Sequence, residues 1–304
     1  MATKYQWHLF HTYKDSDKGL VLNAKTRLTQ RHVDGLLASR TVVVEFFTSQ
    51  NVSRAVHANR DEILQSLVSM SKEYWDRVRT PEALMEDGVF HMSRRFANTC
   101  SLFRSFLDHT ERYFVQTHGK ESLEYKSWKA ILAKQYDSTI AYPLVYLMRN
   151  FIQHHDMPPL SVSISETAQV EQISVDVDID IPAIIDDSNI RKKLGTRISH
   201  LKTISLLNVL DEWSKCLDEI ISVVNAIRLK DVVPHARKIE KLRARFHIPQ
   251  DGLLAVAKLP IVKQKPKKLD LSLIWFPEDK ARKILDAARR RPKRPKAEIT
   301  LTLA

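Results

Sequence analysis

Glycine is scarce in this chain, with six in 304 residues. Neither a G-x-x-x-x-G-K-[ST] loop nor a G-x-G-x-x-G fingerprint occurs. Both motifs use glycine to bring backbone N–H groups against phosphates, so their absence disfavours nucleotide-dependent catalysis. Cysteine is scarcer still: Cys100 and Cys216 both fall inside apolar helical patterns. That excludes a disulfide framework and suits buried free thiols in a reducing compartment. Paired Cys/His spacing of the zinc-binding kind is missing. Nowhere do roughly 18 uncharged apolar residues follow one another, and no long apolar run follows the first amino-terminal charges. These absences lead us to expect a cytoplasmic protein with no membrane partner, no cofactor and no metal site, acting without its own energy source.

Charge, by contrast, is abundant and uneven. The formal net charge is +12. From Lys258 to Ala304 fourteen Lys/Arg stand against five Asp/Glu, a net +9. A basic end of this kind favours a polyanion, with nucleic acid ahead of acidic protein, although it also fits a solvated tail that aids solubility. Its candidate nucleic-acid contacts are Arg289, Arg290, Arg291, Lys293 and Arg294.

A chain of this length holds one large or two modest domains. Residues 1–50 are an amino-terminal element of open type. Trp7, Leu9 and Phe10 suggest a short packed element, and Thr41–Phe47 reads either as a buried strand or as continuing helix. Residues 51–159 form a helical bundle. Ile63, Leu67, Met70 and Tyr74 recur at helical spacing up to Pro81, and Phe96, Cys100, Phe103, Leu107 and Phe114 stripe a second helix over about 91–116. A third helix follows over about 122–133, and Asp137 or Ser138 is suited to cap a fourth. Leu160–Ile164 and Ile173–Ile181 alternate apolar and polar, predicting a β-hairpin over residues 160–183. Residues 184–257 return to helix, with an apolar seam of Leu206, Leu210, Trp213, Leu217, Ile220, Val224 and Ile227 that serves either bundle packing or a dimer. Another helix is expected after Pro234. Residues 258–304 are the basic region, with a further strand over Leu269–Trp275. The fold class is mainly α with a small antiparallel β element.

The candidate for chemistry lies in Leu147-Met148-Arg149-Asn150-Phe151-Ile152-Gln153-His154-His155, at the end of an apolar helical pattern stopped by Pro158-Pro159. Arg149 offers a permanent cation with forked donors suited to phosphate, and histidine, the residue at 154, is the side-chain type whose unperturbed pKa lies nearest neutrality. Positions five apart are offset by about 140° on a helix. Asn150, four before His154, shares its face and is placed to orient the imidazole or bind a phosphate oxygen. The plainer reading is an Arg and a His favouring the carboxyl-terminal end of a helix dipole. Asp176, Asp178 and Asp180 line one strand face, read as solvated or as a dock for the basic tail. Asp108 and His109 are read as surface residues.

The R-N-x-x-x-H pattern, the apolar residues before it and the Pro-Pro stop resemble the last core helix of the HEPN superfamily. The resemblant stretch is Tyr136–Pro159, within a resemblance over roughly residues 51–159. It implies a HEPN-like helical bundle and a metal-independent endoribonuclease of toxin or antiphage type. It also implies a homodimer, with two Arg/His sets lining one cleft, and a possible antitoxin or defence-system partner protein beside the RNA substrate. Asp156 stands where some HEPN toxins carry a modifiable tyrosine, which argues against that mode of regulation. The alternatives are a catalytically silent HEPN-like RNA- or protein-binding scaffold, or a basic dimeric DNA-associated regulator.

Overall fold

The computed structural model describes residues 5–167, 172–261 and 271–290. In chain order they form β1 (Tyr5–Asp15), β2 (Gly19–Leu28), α1 (Gln30–Trp75), α2 (Pro81–Thr117), α3 (Leu123–Ser138), α4 (Ala141–His154), β3 (Leu160–Thr167) and β4 (Gln172–Asp180). There follow α5 (Ile181–Ile185), α6 (Ser188–Ile198), β5 (Thr203–Ser205), α7 (Leu206–Arg245), β6 (Leu253–Pro260), β7 (Ile274–Trp275) and α8 (Glu278–Arg289). The protein is mainly helical with small antiparallel sheets, as the sequence pattern predicts. It divides into two compact units, one made of residues 1–48 and 227–304 and the other of residues 49–226.

The first unit is built on a four-stranded antiparallel sheet in the order β2-β1-β6-β7. Its hairpin turns where Asp15 faces Gly19. The Asp15 carboxylate accepts from the N–H groups of Asp17 and Lys18, each at 3.0 Å, and Gly19 takes a φ of +74°. That is the Asx-turn chemistry for which Asp and Gly are suited. Leu9, Val33, Val43, Ala236, Ile239, Leu254, Val256 and Ile284 meet in its core. The Thr41–Phe47 segment is helix, not strand, because Val33, Leu36, Val43 and Phe46 share one buried stripe of α1. Here packing overrides local β propensity.

α7 also departs from expectation. Pro234 was expected to precede a new helix, yet α7 runs through it. Buried Val232, Ala236, Ile239 and Leu242 keep the apolar stripe intact on both sides, which offsets the lost N–H. Near its end Arg243 is buried and forks onto Glu278, with Nε–Oε1 at 2.6 Å and Nη2–Oε2 at 2.8 Å. It also donates to the carbonyls of Pro249, Asp251 and Gly252. Gly252 has a φ of +67°, and a Cβ there would sit 2.1 Å from the Thr12 carbonyl oxygen, so only glycine fits.

The second unit is helical with a three-stranded antiparallel sheet, β3-β4-β5. β3 and β4 form the expected hairpin. Val175, Val177 and Ile179 are buried while Asp176 and Asp180 face outward. Asp180 caps α5 by accepting from Ala183 N–H at 3.2 Å. α2 starts at Pro81, ten residues before its expected start, because Thr80 caps it and proline suits the first helical turn. It ends at Thr117, and Gly119, at φ +82°, accommodates the reversal. α3 runs on to Ser138, so Asp137 and Ser138 end that helix and do not cap α4. All seven seam residues of α7 are buried within the chain, Ile227 falling in the first unit.

Candidate active site

α4 begins where Thr139 breaks the chain into extended geometry after α3. Its first N–H groups are satisfied from outside the helix. Glu212 of α7 accepts from Ala141 at 3.0 Å, and Thr139 Oγ1 accepts from Tyr142 at 3.4 Å. Arg197 of α6 fixes the preceding turn by donating to the carbonyls of Tyr136 and Thr139, at 3.2 and 2.6 Å. The stretch Tyr136–Pro159 is thus the end of α3, a capped break, and α4.

The apolar residues of α4 bury one broad face: Tyr142, Leu144, Val145, Leu147, Met148 and Phe151. Tyr142 meets Phe103 of α2 edge-on at 5.5 Å between centroids, and Phe103 meets Trp213 of α7 in the same way at 5.3 Å. Such packing holds α4 in register, each aromatic pair adding about 0.5–1.5 kcal/mol beyond the area it buries. Burial raises the Tyr142 phenol well above its ordinary range, Tyr146 adding to the effect, so this hydroxyl stays protonated near neutrality.

Opposite that face run the polar side chains. Tyr146, Arg149 and Asn150 are half-buried, whereas Gln153 and His154 are exposed. Arg149 Nη1 donates to Asn150 Oδ1 at 3.4 Å. By regular helix geometry His154 stands about 7.5 Å further along the axis than Arg149 and about 140° around it, with Asn150 between them in angle. His154 is the last residue of α4 and has no hydrogen-bond or ion-pair partner among the described residues. His155 differs. Its Nε2 lies 3.0 Å from Asp187 Oδ2, and its ring stacks on Phe151 at 4.9 Å.

Two residues that sequence reasoning did not place in the site belong beside it. The Arg104 guanidinium of α2 lies over the Tyr146 ring, 4.9 Å from its centroid, and donates to the Tyr146 hydroxyl. Asp108 pairs with Arg104 at 3.1 Å, so it neutralises this cation, and His109 is exposed as expected. The i,i+4 spacing of Arg104 and Asp108 was the available signal. What sequence alone could not show is that α2 lays this pair against α4.

Other expected groups are dispersed. Arg289 ends α8 and pairs with Asp286 at 3.2 Å and Glu240 at 3.8 Å. Arg290 is the exposed cap after it. Arg291, Lys293 and Arg294, and the Leu269-Asp270 start of the expected last strand, lie outside the described residues. Among the described residues no helix is long and apolar enough to cross a membrane. Comparison of the chain with protein-family models, with curated proteins and with solved structures finds no match.

Proposed function

We propose that this protein is a metal-independent endoribonuclease of HEPN type, working in a toxin or antiphage setting. In this reading two chains bring their α4 helices together, so that two sets of Arg149, Asn150 and His154 face one RNA strand. The observation that carries it is the division of labour at the end of α4. His154 is exposed and unpartnered, while the neighbouring His155 is engaged by Asp187 and Phe151.

Each side chain then has a chemical role. His154 removes the proton of a ribose 2′-hydroxyl, which attacks the adjacent phosphorus and expels the 5′-oxygen, leaving a 2′,3′-cyclic phosphate. Arg149 stabilises the charge that develops on the phosphate oxygens. Asn150 orients Arg149 through the bond it already accepts. The imidazolium formed, or its counterpart from the second chain, protonates the leaving oxygen. The 140° offset within one helix favours a shared site over a self-sufficient one, since a partner's His would face the first chain's Arg. An antitoxin or defence-system protein covering this strip would be the natural control.

A catalytically silent RNA- or protein-binding scaffold is the second reading. It draws on the surface setting of the set, with His154 exposed at the end of α4 and Arg149 and Asn150 half-buried before it. RNA cleavage in chelator by the wild type and His154→Ala separates the two.

A further inference from the structure

In the first unit a cavity of about 700 Å³ opens between the start of α1 and the end of α7. Its walls come from Leu28 at the end of β2, from Arg31, His32, Gly35 and Leu36 of α1, and from Lys238, Lys241, Leu242 and Arg245 of α7 followed by Phe246. The spacing explains the wall. Positions 238, 241, 242 and 245 share one face of α7, and 31, 32, 35 and 36 share one face of α1. The volume falls within the ~300–1,000 Å³ range of clefts that hold drug-sized ligands.

Its charge is one-sided. Four permanent cations and a histidine line it without a carboxylate. None of the five takes part in an ion pair among the described residues, and nearby acids are engaged elsewhere: Asp34 accepts from Gln30 at 2.7 Å, and Glu240 faces Arg289. Lys238 Nζ is held over Gly35 by donating to its carbonyl oxygen at 2.7 Å, an approach that the missing side chain leaves open, since a Cβ at Gly35 would lie 2.7 Å from that ammonium. The cavity also has an apolar, aromatic side. Leu28, Leu36 and Leu242 are buried behind it, and the Arg245 guanidinium lies 5.4 Å from the Phe246 ring centroid.

We infer that this cavity binds a nucleotide, with its phosphates among Arg31, Lys238, Lys241 and Arg245 and its base against Phe246 and the leucines. Clustered cations bind phosphate oxygens by charge-assisted hydrogen bonds, and an aromatic ring beside them supplies a surface on which a base stacks. Side-chain cations do here what glycine-rich backbone does in phosphate loops, which suits a chain of six glycines. The nucleotide is either free or one residue of a single-stranded RNA. The basic segments 262–270 and 291–304 do not complement the cavity's charge. This site shares no residue with the α4 site, so each can fail alone.

The test titrates the full chain with ATP, with tripolyphosphate and with a short single-stranded RNA, and repeats each with Lys241→Glu/Arg245→Glu and with Phe246→Leu. Both reversed positions are exposed, so folding is retained. We expect ATP or the RNA to bind the wild type and the double reversal to weaken that binding by about tenfold or more. Phe246→Leu should weaken ATP while sparing tripolyphosphate. ATP binding that RNA does not displace identifies a free nucleotide, and displacement by RNA identifies a strand. Absence of binding by both, affinity indifferent to the charge reversal, or tripolyphosphate binding as tightly as ATP overturns the inference.

Discussion

His155 Nε2 and Asp187 Oδ2 lie 3.0 Å apart, and the same carboxylate accepts from the N–H groups of Asn189 and Ile190 at 2.9 and 2.8 Å. One side chain therefore caps α6 and ties down the turn after α4. The tie engages His155 in structure, whereas the adjacent His154, to which we assign the chemistry by proposal, has no such partner among the described residues.

Asp187 should accordingly control acid stability. Desolvation pushes its carboxyl upward, but the Ile190 N–H, the His155 ring and the Asn189 N–H outweigh it and hold it below its ordinary value of 3.8. A lowered folded-state value means that the stabilisation is complete above that ordinary value and is lost as pH falls through the lowered one. Asp187→Ala should cost about 0.5–2 kcal/mol near neutrality, the range for losing a cap. Its deficit against wild type should shrink as the pH drops below 3.8. Denaturant melts over a pH series measure it, and a deficit unchanged into acid would contradict the assignment.

The Arg243–Glu278 pair makes a second, independent prediction. Arg243→Leu leaves the mostly buried Glu278 carboxylate without its partner, and losing one partner of a fully buried pair costs about 3–5 kcal/mol, an upper bound here. Urea unfolding should show that loss. Glu278→Gln keeps one acceptor for the guanidinium and should cost less.

How much of this was legible beforehand depends on what each residue's signal was about. The hairpin predicted over residues 160–183 and the buried α7 seam announce themselves through local periodicity, while the Arg149, Asn150 and His154 set rests on residue type and motif spacing and stands as a proposal. The sheet of the first unit does not. β1 pairs with β6 across more than two hundred residues, from Tyr5 opposite Pro260 to Thr12 opposite Leu253, and no local pattern carries such a pairing. Thr41–Phe47 stays ambiguous through its β-branched content, and Pro234 misleads through its helix-breaking habit, because burial on the flanking turns outweighs both. Arg104 needed the third dimension to join Tyr146, as did the cations of the α1/α7 cavity, which come from opposite ends of the chain.

Assembly follows from the shared-site proposal. Sedimentation at micromolar concentration should give a homodimer. A mixture of Arg149→Ala and His154→Ala chains should regain part of the activity where each lesion spoils a different half. A particle that stays monomeric while cutting RNA would contradict the shared site.

The basic carboxyl-terminal run should set affinity, not chemistry. Changing Arg289, Arg290, Arg291, Lys293 and Arg294 to Gln should weaken RNA binding and flatten its salt dependence, because phosphate contacts act through counterion release. Arg289 already has two acidic partners and should contribute least. Maximal turnover should change little. Equal salt slopes for both proteins would remove this run from the RNA-binding surface.

The most direct test of the central claim is RNA cleavage in chelator by wild type, His154→Ala and His155→Ala, each checked for folding by circular dichroism. Losing a general acid/base costs about 10²–10⁴ in rate. The wild type should release 2′,3′-cyclic phosphate ends, His154→Ala should fall by that factor with its helix content intact, and His155→Ala should lose stability before activity. A folded His154→Ala protein that cuts as fast as wild type, or a wild type that cuts no RNA as a dimer, would contradict the account.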